Sequence, residues 1–110
     1  MTHPRFKVSP SPGGQFTFNL TGANGEIILS SERYTTRANA ENGIASVKVN
    51  APDDSHYARL TAKNEQPYFV LKAANGEPLG TSEMYSSKAA METGIASVKT
   101  NAPVARSSSC

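Results

Sequence analysis

Phe6 and Val8 alternate with polar neighbours, and Phe16, Phe18 and Leu20 alternate with Thr17 and Asn19. A period of two predicts strands with one apolar face. Pro12-Gly13-Gly14 between these runs tolerates the positive φ of a hairpin. Asn24-Gly25 then predicts a type I′ turn, with Ile27-Ile28-Leu29 continuing as a third strand. Past Tyr34 the period changes. Ala40, Ile44, Val47 and Ala51 fall at i, i+4, i+7 and i+11, the stripe of a helix with one buried side. Thr35 or Thr36 can cap its first turn, and Asn50 can take the terminal conformation before Pro52 stops it.

The same text recurs 51 positions on. Aligning Gln15–Pro52 with Gln66–Pro103 gives 21 identities in 38 pairs, which marks an internal duplication. Gly43-Ile44-Ala45-Ser46-Val47-Lys48 matches Gly94-Ile95-Ala96-Ser97-Val98-Lys99, and both copies go on to Asn-Ala-Pro. Ala23-Asn24-Gly25-Glu26 matches Ala74-Asn75-Gly76-Glu77, and Ser31-Glu32-x-Tyr34 matches Ser82-Glu83-x-Tyr85. Lys63-Asn64-Glu65 takes the place of the first glycine turn. Met91, Ile95, Val98 and Ala102 repeat the helical stripe, with Ser86 or Ser87 as cap and Asn101 before Pro103. Copy two departs at Pro78-Leu79-Gly80, where proline cannot donate to a ladder; its third strand is expected at an edge, or paired on one side only near Pro78. Gly43 and Gly94 sit inside the helices at a cost of about 1 kcal/mol relative to alanine, which a close approach to the sheet or the twin helix would explain.

A β-β-β-α unit leaves an unfinished edge, so one copy alone is marginal and two complete each other. The expected fold is α+β: tandem β-β-β-α-β repeats sharing one antiparallel sheet, two helices on one face, with pseudo-twofold symmetry. Residues 56–62 serve as exit strand of copy one and entry strand of copy two. The repeats span about 4–54 and 55–105 of a single domain. Residues 103–106 offer a short matching strand, and 106–110 read as a disordered tail.

These blocks resemble the YegP-like family of small uncharacterised bacterial proteins, over nearly the whole chain in both copies. The resemblance implies β3-α-β motifs that share a continuous sheet and exchange their last strands, with single-copy relatives reaching the same shape as dimers. It implies no activity, cofactor or catalytic residue.

Composition adds little. Eleven Lys and Arg against nine Asp and Glu leave a net charge of +2, too mild for an obligate nucleic-acid binder. The first half through Pro52 holds five basic and three acidic residues and the second six of each, so no block concentrates the field. The single cysteine, Cys110, allows no internal disulfide and suits a reducing compartment. With no signal-peptide pattern and no membrane-length apolar run, a cytoplasmic location is expected, with no membrane association.

Candidate chemistry is sparse. Asp53-Asp54-Ser55-His56 holds the residue types of a triad, but four consecutive residues cannot converge as one, and a polar connection explains them. His3 and His56 have no ligand spacing, Gly13-Gly14 opens no phosphate-binding helix, and Asn19-Leu20-Thr21 lies in a strand rather than a glycosylated loop. Glu32 and Glu83 read as strand-end charges near a pseudo-axis, Tyr34 and Tyr85 as packing aromatics, and Lys48 and Lys99 as lysines whose stems lie on the core. The sheet face away from the helices would carry Lys7, Thr17, Asn19, Tyr68, Val70 and Lys72, a mixture that can stack bases or hold a partner and that also fits a half-solvated sheet. No catalytic residue, cofactor or metal site is expected. The reading is a monomeric, internally pseudo-dimeric, non-enzymatic binding or interaction module with a possible protein partner; the alternative is weak nucleic-acid binding through the sheet face.

Overall fold

The computed structural model describes residues 3–22 and 24–109, the last three by backbone alone. Its elements run β1 (Arg5–Ser11), β2 (Gln15–Thr21), β3 (Ile27–Ser31), α1 (Arg37–Asn50), β4 (Tyr57–Thr61), β5 (Pro67–Lys72), β6 (Pro78–Thr81), α2 (Lys88–Asn101) and β7 (Arg106–Ser109). The strands form one sheet in the order β4-β5-β6-β3-β2-β1-β7. The first six are antiparallel, as expected from the sequence, and β7 adds in parallel beside β1 over Arg5–Val8.

The two β-β-β-α units meet at β3 and β6, where Ser30 faces Thr81, its own counterpart in the repeat. That pair marks the pseudo-twofold axis. Both helical stripes are buried as the spacing requires: Ala40, Ile44, Val47 and Ala51 from one side, Met91, Ile95, Val98 and Ala102 from the other. They close with Phe6, Phe18, Leu20, Phe69 and Leu71 into one core on a single face of the sheet. Thr36 and Ser87 cap the helices, accepting from the amides of Asn39 and Ala90.

Several expectations need correction. The Asn-Gly turns are not type I′, because Asn24 and Asn75 do not take positive φ; the glycines alone do, at 84° and 88°. Gly25 N–H reaches the Gly22 carbonyl and Gly22 N–H the Glu26 carbonyl, the pattern of a turn closed by a glycine bulge. Each Asn instead accepts, on its side-chain oxygen, the amide two residues on, at 3.1 and 3.0 Å. Asn50 and Asn101 do not end their helices in a left-handed turn. They stay helical and donate back to the carbonyls of Ser46 and Ser97, both at 2.8 Å, while Ala51 and Ala102 follow in the right-handed region.

Strand β6 lies inside the sheet rather than at its edge, but near Pro78 it pairs on one side only, to β5, which is the other arrangement expected for it. Pro78 is tolerated as its first residue, beside a register shift at Leu71/Lys72, and pairing to β3 begins only at Gly80. Residues 106–109 are strand, not a disordered tail, and Ala105 before them is buried. A serine run has no hydrophobic pattern, but the outward backbone groups of β1 supply the pairing that its side chains do not. The strand suggested at 103–106 is displaced accordingly, since Ala102–Val104 form a 3₁₀ turn. Cys110 lies outside the described residues.

Candidate interaction surface

The glycines inside the helices reveal how tightly each copy closes. A Cβ on Gly43 would overlap the Tyr34 hydroxyl and stand 2.7 Å from its ring carbon Cζ; one on Gly94 would overlap the Tyr85 hydroxyl. Each tyrosine is a slab between a helix and a phenylalanine, Tyr34 stacked on Phe18 at 5.9 Å and Tyr85 on Phe69 at 6.2 Å. Burial, aided by Glu32 and Glu83, pushes both phenols up from their ordinary value. The packing role expected for these tyrosines is the one they hold.

Beside Tyr34 lies a concavity of about 560 Å³ where the start of α1 meets the β5–β6 turn of the other copy; Glu32, Asn39, Asn42, Asn75 and Glu77 give it a polar lining. It is shallow and open.

Asp54–His56 forms a 3₁₀ turn capped by Asp53. Asp53 accepts from the Ser55 amide at 3.0 Å and from the Ser55 hydroxyl at 2.7 Å, which holds its carboxyl below the ordinary range. His56 Nε2 is 3.6 Å from the same carboxylate. Serine and histidine thus both turn to Asp53 rather than to each other, so no nucleophile–imidazole pair is assembled. His3 is exposed, and the described residues hold no group of His, Cys, Asp and Glu able to bind a metal.

Next to this turn stands a charge cluster that the sequence did not single out. Arg59 donates to Glu92 at 2.6 Å and to Asp54 at 2.8 Å, and Lys99 donates to Asp54 at 2.6 Å. These donors hold the exposed Asp54 carboxyl down at about 2. Lys99 also lies over the Tyr57 ring and Lys48 over the Phe6 ring, at 5.7 and 5.9 Å. At the pseudo-symmetric place beside β1, buried Val8 and Ala105 are the counterparts of Arg59 and Asp54, and β7 covers that side.

Phe18, Leu20, Phe69 and Leu71 do point to the helices, leaving Lys7, Thr17, Asn19, Tyr68, Val70 and Lys72 on the uncovered face. Repeat equivalence splits this face in two. Copy one presents Lys7, Ser9, Thr17 and Asn19; at the corresponding positions copy two presents Ala58, Leu60, Tyr68 and Val70. Ala58 pairs with Val70 and Leu60 with Tyr68 across β4 and β5, so the four make one apolar patch. Met84, 52% exposed, shares a groove with Tyr68. The contrast could have been found by comparing the repeats at outward positions alone.

Residues 12–57 and 62–107 each match a domain described as a domain of unknown function, DUF1508. The chain is similar to a UPF0339 protein of Bordetella pertussis, with 58% identity over 96 residues covering 87% of this chain and 86% of the relative. The solution structure of a UPF0339 protein from Shewanella oneidensis superposes with a TM-score of 0.91 at 46% identity, over 98% of this chain and 92% of that one. The solution structure of the Escherichia coli protein of unknown function yegP gives 0.91 at 45%, over 99% and 94%. No helix among the described residues is long and apolar enough to cross a membrane.

Proposed function

The chain belongs to the UPF0339/YegP family, with DUF1508 twice in tandem, and from that premise we propose that it is a monomeric, non-enzymatic interaction module of the bacterial cytoplasm. Its working surface is the uncovered sheet face of the second repeat. One observation carries this reading: the repeats bury matching helical stripes and matching Phe and Leu positions on β2 and β5, yet their outer faces differ, polar in copy one and apolar at Ala58, Leu60, Tyr68 and Val70 in copy two. The fold does not need those apolar residues, because copy one builds the same strands with Lys7, Ser9, Thr17 and Asn19. A partly exposed apolar cluster, with Leu60 its most accessible large side chain, is what a protein contact site requires.

A photo-activatable phenylalanine analogue at position 68 or at position 17, its counterpart, separates the two faces in living cells. Discrete adducts are expected from position 68 and none from 17; equal labelling from both overturns the reading.

A second reading, weak nucleic-acid binding, draws on Tyr68 and Lys72, on the same face of β5 with Val70 between them. Phosphate contacts are strongest at low salt. Unchanged mobility of single-stranded DNA and RNA there removes it.

A further inference from the structure

The sheet ends differently on its two sides. On one, β7 covers β1; on the other, β4, the repeat counterpart of β1, has no neighbour beyond it among the described residues. Symmetry would call for eight strands. Seven are present because the exit strand of the first repeat is also the entry strand of the second.

The groups left on the β4 edge follow from its pairing. Ala62 N–H donates to the Gln66 carbonyl at 2.9 Å. In an antiparallel ladder the bonded pairs then alternate, so Leu60 and Ala58 bond to β5 while Arg59 and Thr61 direct both backbone groups outward. The Tyr57 carbonyl points outward too, its N–H being taken by Asp54. No hydrogen bond among the described residues closes on these outward groups of Arg59 and Thr61. The Arg59 side chain turns to Glu92 and Asp54 on the helix side, which leaves the backbone accessible. The apolar patch borders the same edge, with Leu60 41% exposed.

We propose that an extended segment of a protein partner adds to β4 as the eighth strand, parallel and in the register that β7 keeps on β1, with apolar side chains set on Ala58 and Leu60. This deepens the interaction-module reading and rests on it. Backbone bonds would supply affinity and the alternating side chains specificity. The template is internal: over Arg5–Val8, the counterparts of residues 56–59, the edge of β1 is closed in this way by β7, and the partner strand would run on past Leu60 and Thr61. A second copy's tail is not the occupant. Residues 106–109 are Arg-Ser-Ser-Ser, with no apolar side chain for the patch, and each tail is held intramolecularly, at high effective concentration, on its own β1.

The test is titration of the full chain by NMR with a blocked heptapeptide of alternating threonine and valine, lysine at each end. Shifts and slowed exchange are expected at the Arg59 and Thr61 amides, with little change in exchange at Ala58 and Leu60. Thr61→Pro removes one outward donor, and Pro10 already occupies the corresponding place in β1, so the fold tolerates it; binding should weaken about fivefold, the loss of one hydrogen bond. Leu60→Glu should weaken it about tenfold through the patch. Shifts confined to β1 and β7, a doubled mass from pairing of β4 edges, or no response at millimolar peptide would each overturn the proposal. Cross-linking from position 68 that survives such a result leaves the interaction-module reading standing; loss of both brings down the two together.

Discussion

Leu29 and Gly80 hold corresponding places in the two repeats, beside the pseudo-axis, and there is room for one large side chain. A Cβ on Gly80 would stand 2.7 Å from Leu29 Cγ, so the duplication had to become unequal at that point. In the sequence Gly80 is only part of the departure at Pro78-Leu79-Gly80; the position of the axis shows that it relieves overpacking. Gly80→Leu should cost about 2 kcal/mol in urea denaturation, and combining it with Leu29→Gly should recover at least half of that by moving the leucine across the axis. Gly76 answers a different need. Nothing lies within 4 Å of its missing Cβ and its φ is +88°, so Gly76→Ala should lose about 1 kcal/mol through the backbone alone. In Gly94→Ala the gain in helix propensity, about 1 kcal/mol, is outweighed by overlap with Tyr85, which is pinned against Phe69; a net loss of about 1 kcal/mol is expected from the same measurement.

The elements whose signal lies in side-chain periodicity were legible: the strands around Phe6, Phe18 and Phe69, both helical stripes, and the caps. What escaped is held by backbone. β7 carries no apolar alternation, and the Asn-Gly turns conceal which of the two residues turns left-handed. The outer-face residues were named, but not the contrast between copies, because burial and periodicity treat polar and apolar outward positions alike. The Arg59 cluster escaped because its members come from three elements, the 53–56 turn, β4 and α2. Its chemistry is testable by pH. Asp54 is held at about 2 by hydrogen bonds from Arg59 and then Lys99, with Asp53 and Glu92 nearby. A carboxyl depressed on folding contributes stability above its unfolded value near 3.8, and that contribution is lost as pH falls from about 4 toward 2. Denaturation midpoints between pH 5 and 2 should fall less steeply in Asp54→Asn than in the parent, and the difference should shrink in high salt because the group is exposed.

Neither half is finished alone. Helix α1 packs on β5 and β6 of the other repeat as well as on β1 and β2, and α2 reaches β3. Residues 1–52 expressed alone should therefore lack a stable monomeric fold; a cooperative thermal transition at monomeric mass would refute the shared core. The same interlocking sets how the molecule bears tension. Because β1 and β7 run side by side in the same direction, Arg5 beside Arg106 and Val8 beside Ser109, a load pulling Arg5 and Ser109 apart slides one strand along the other. All rungs between them are strained at once instead of peeling in turn, so stretching in an optical trap should meet its first resistance as a single abrupt rupture of this seam, before either helix gives way.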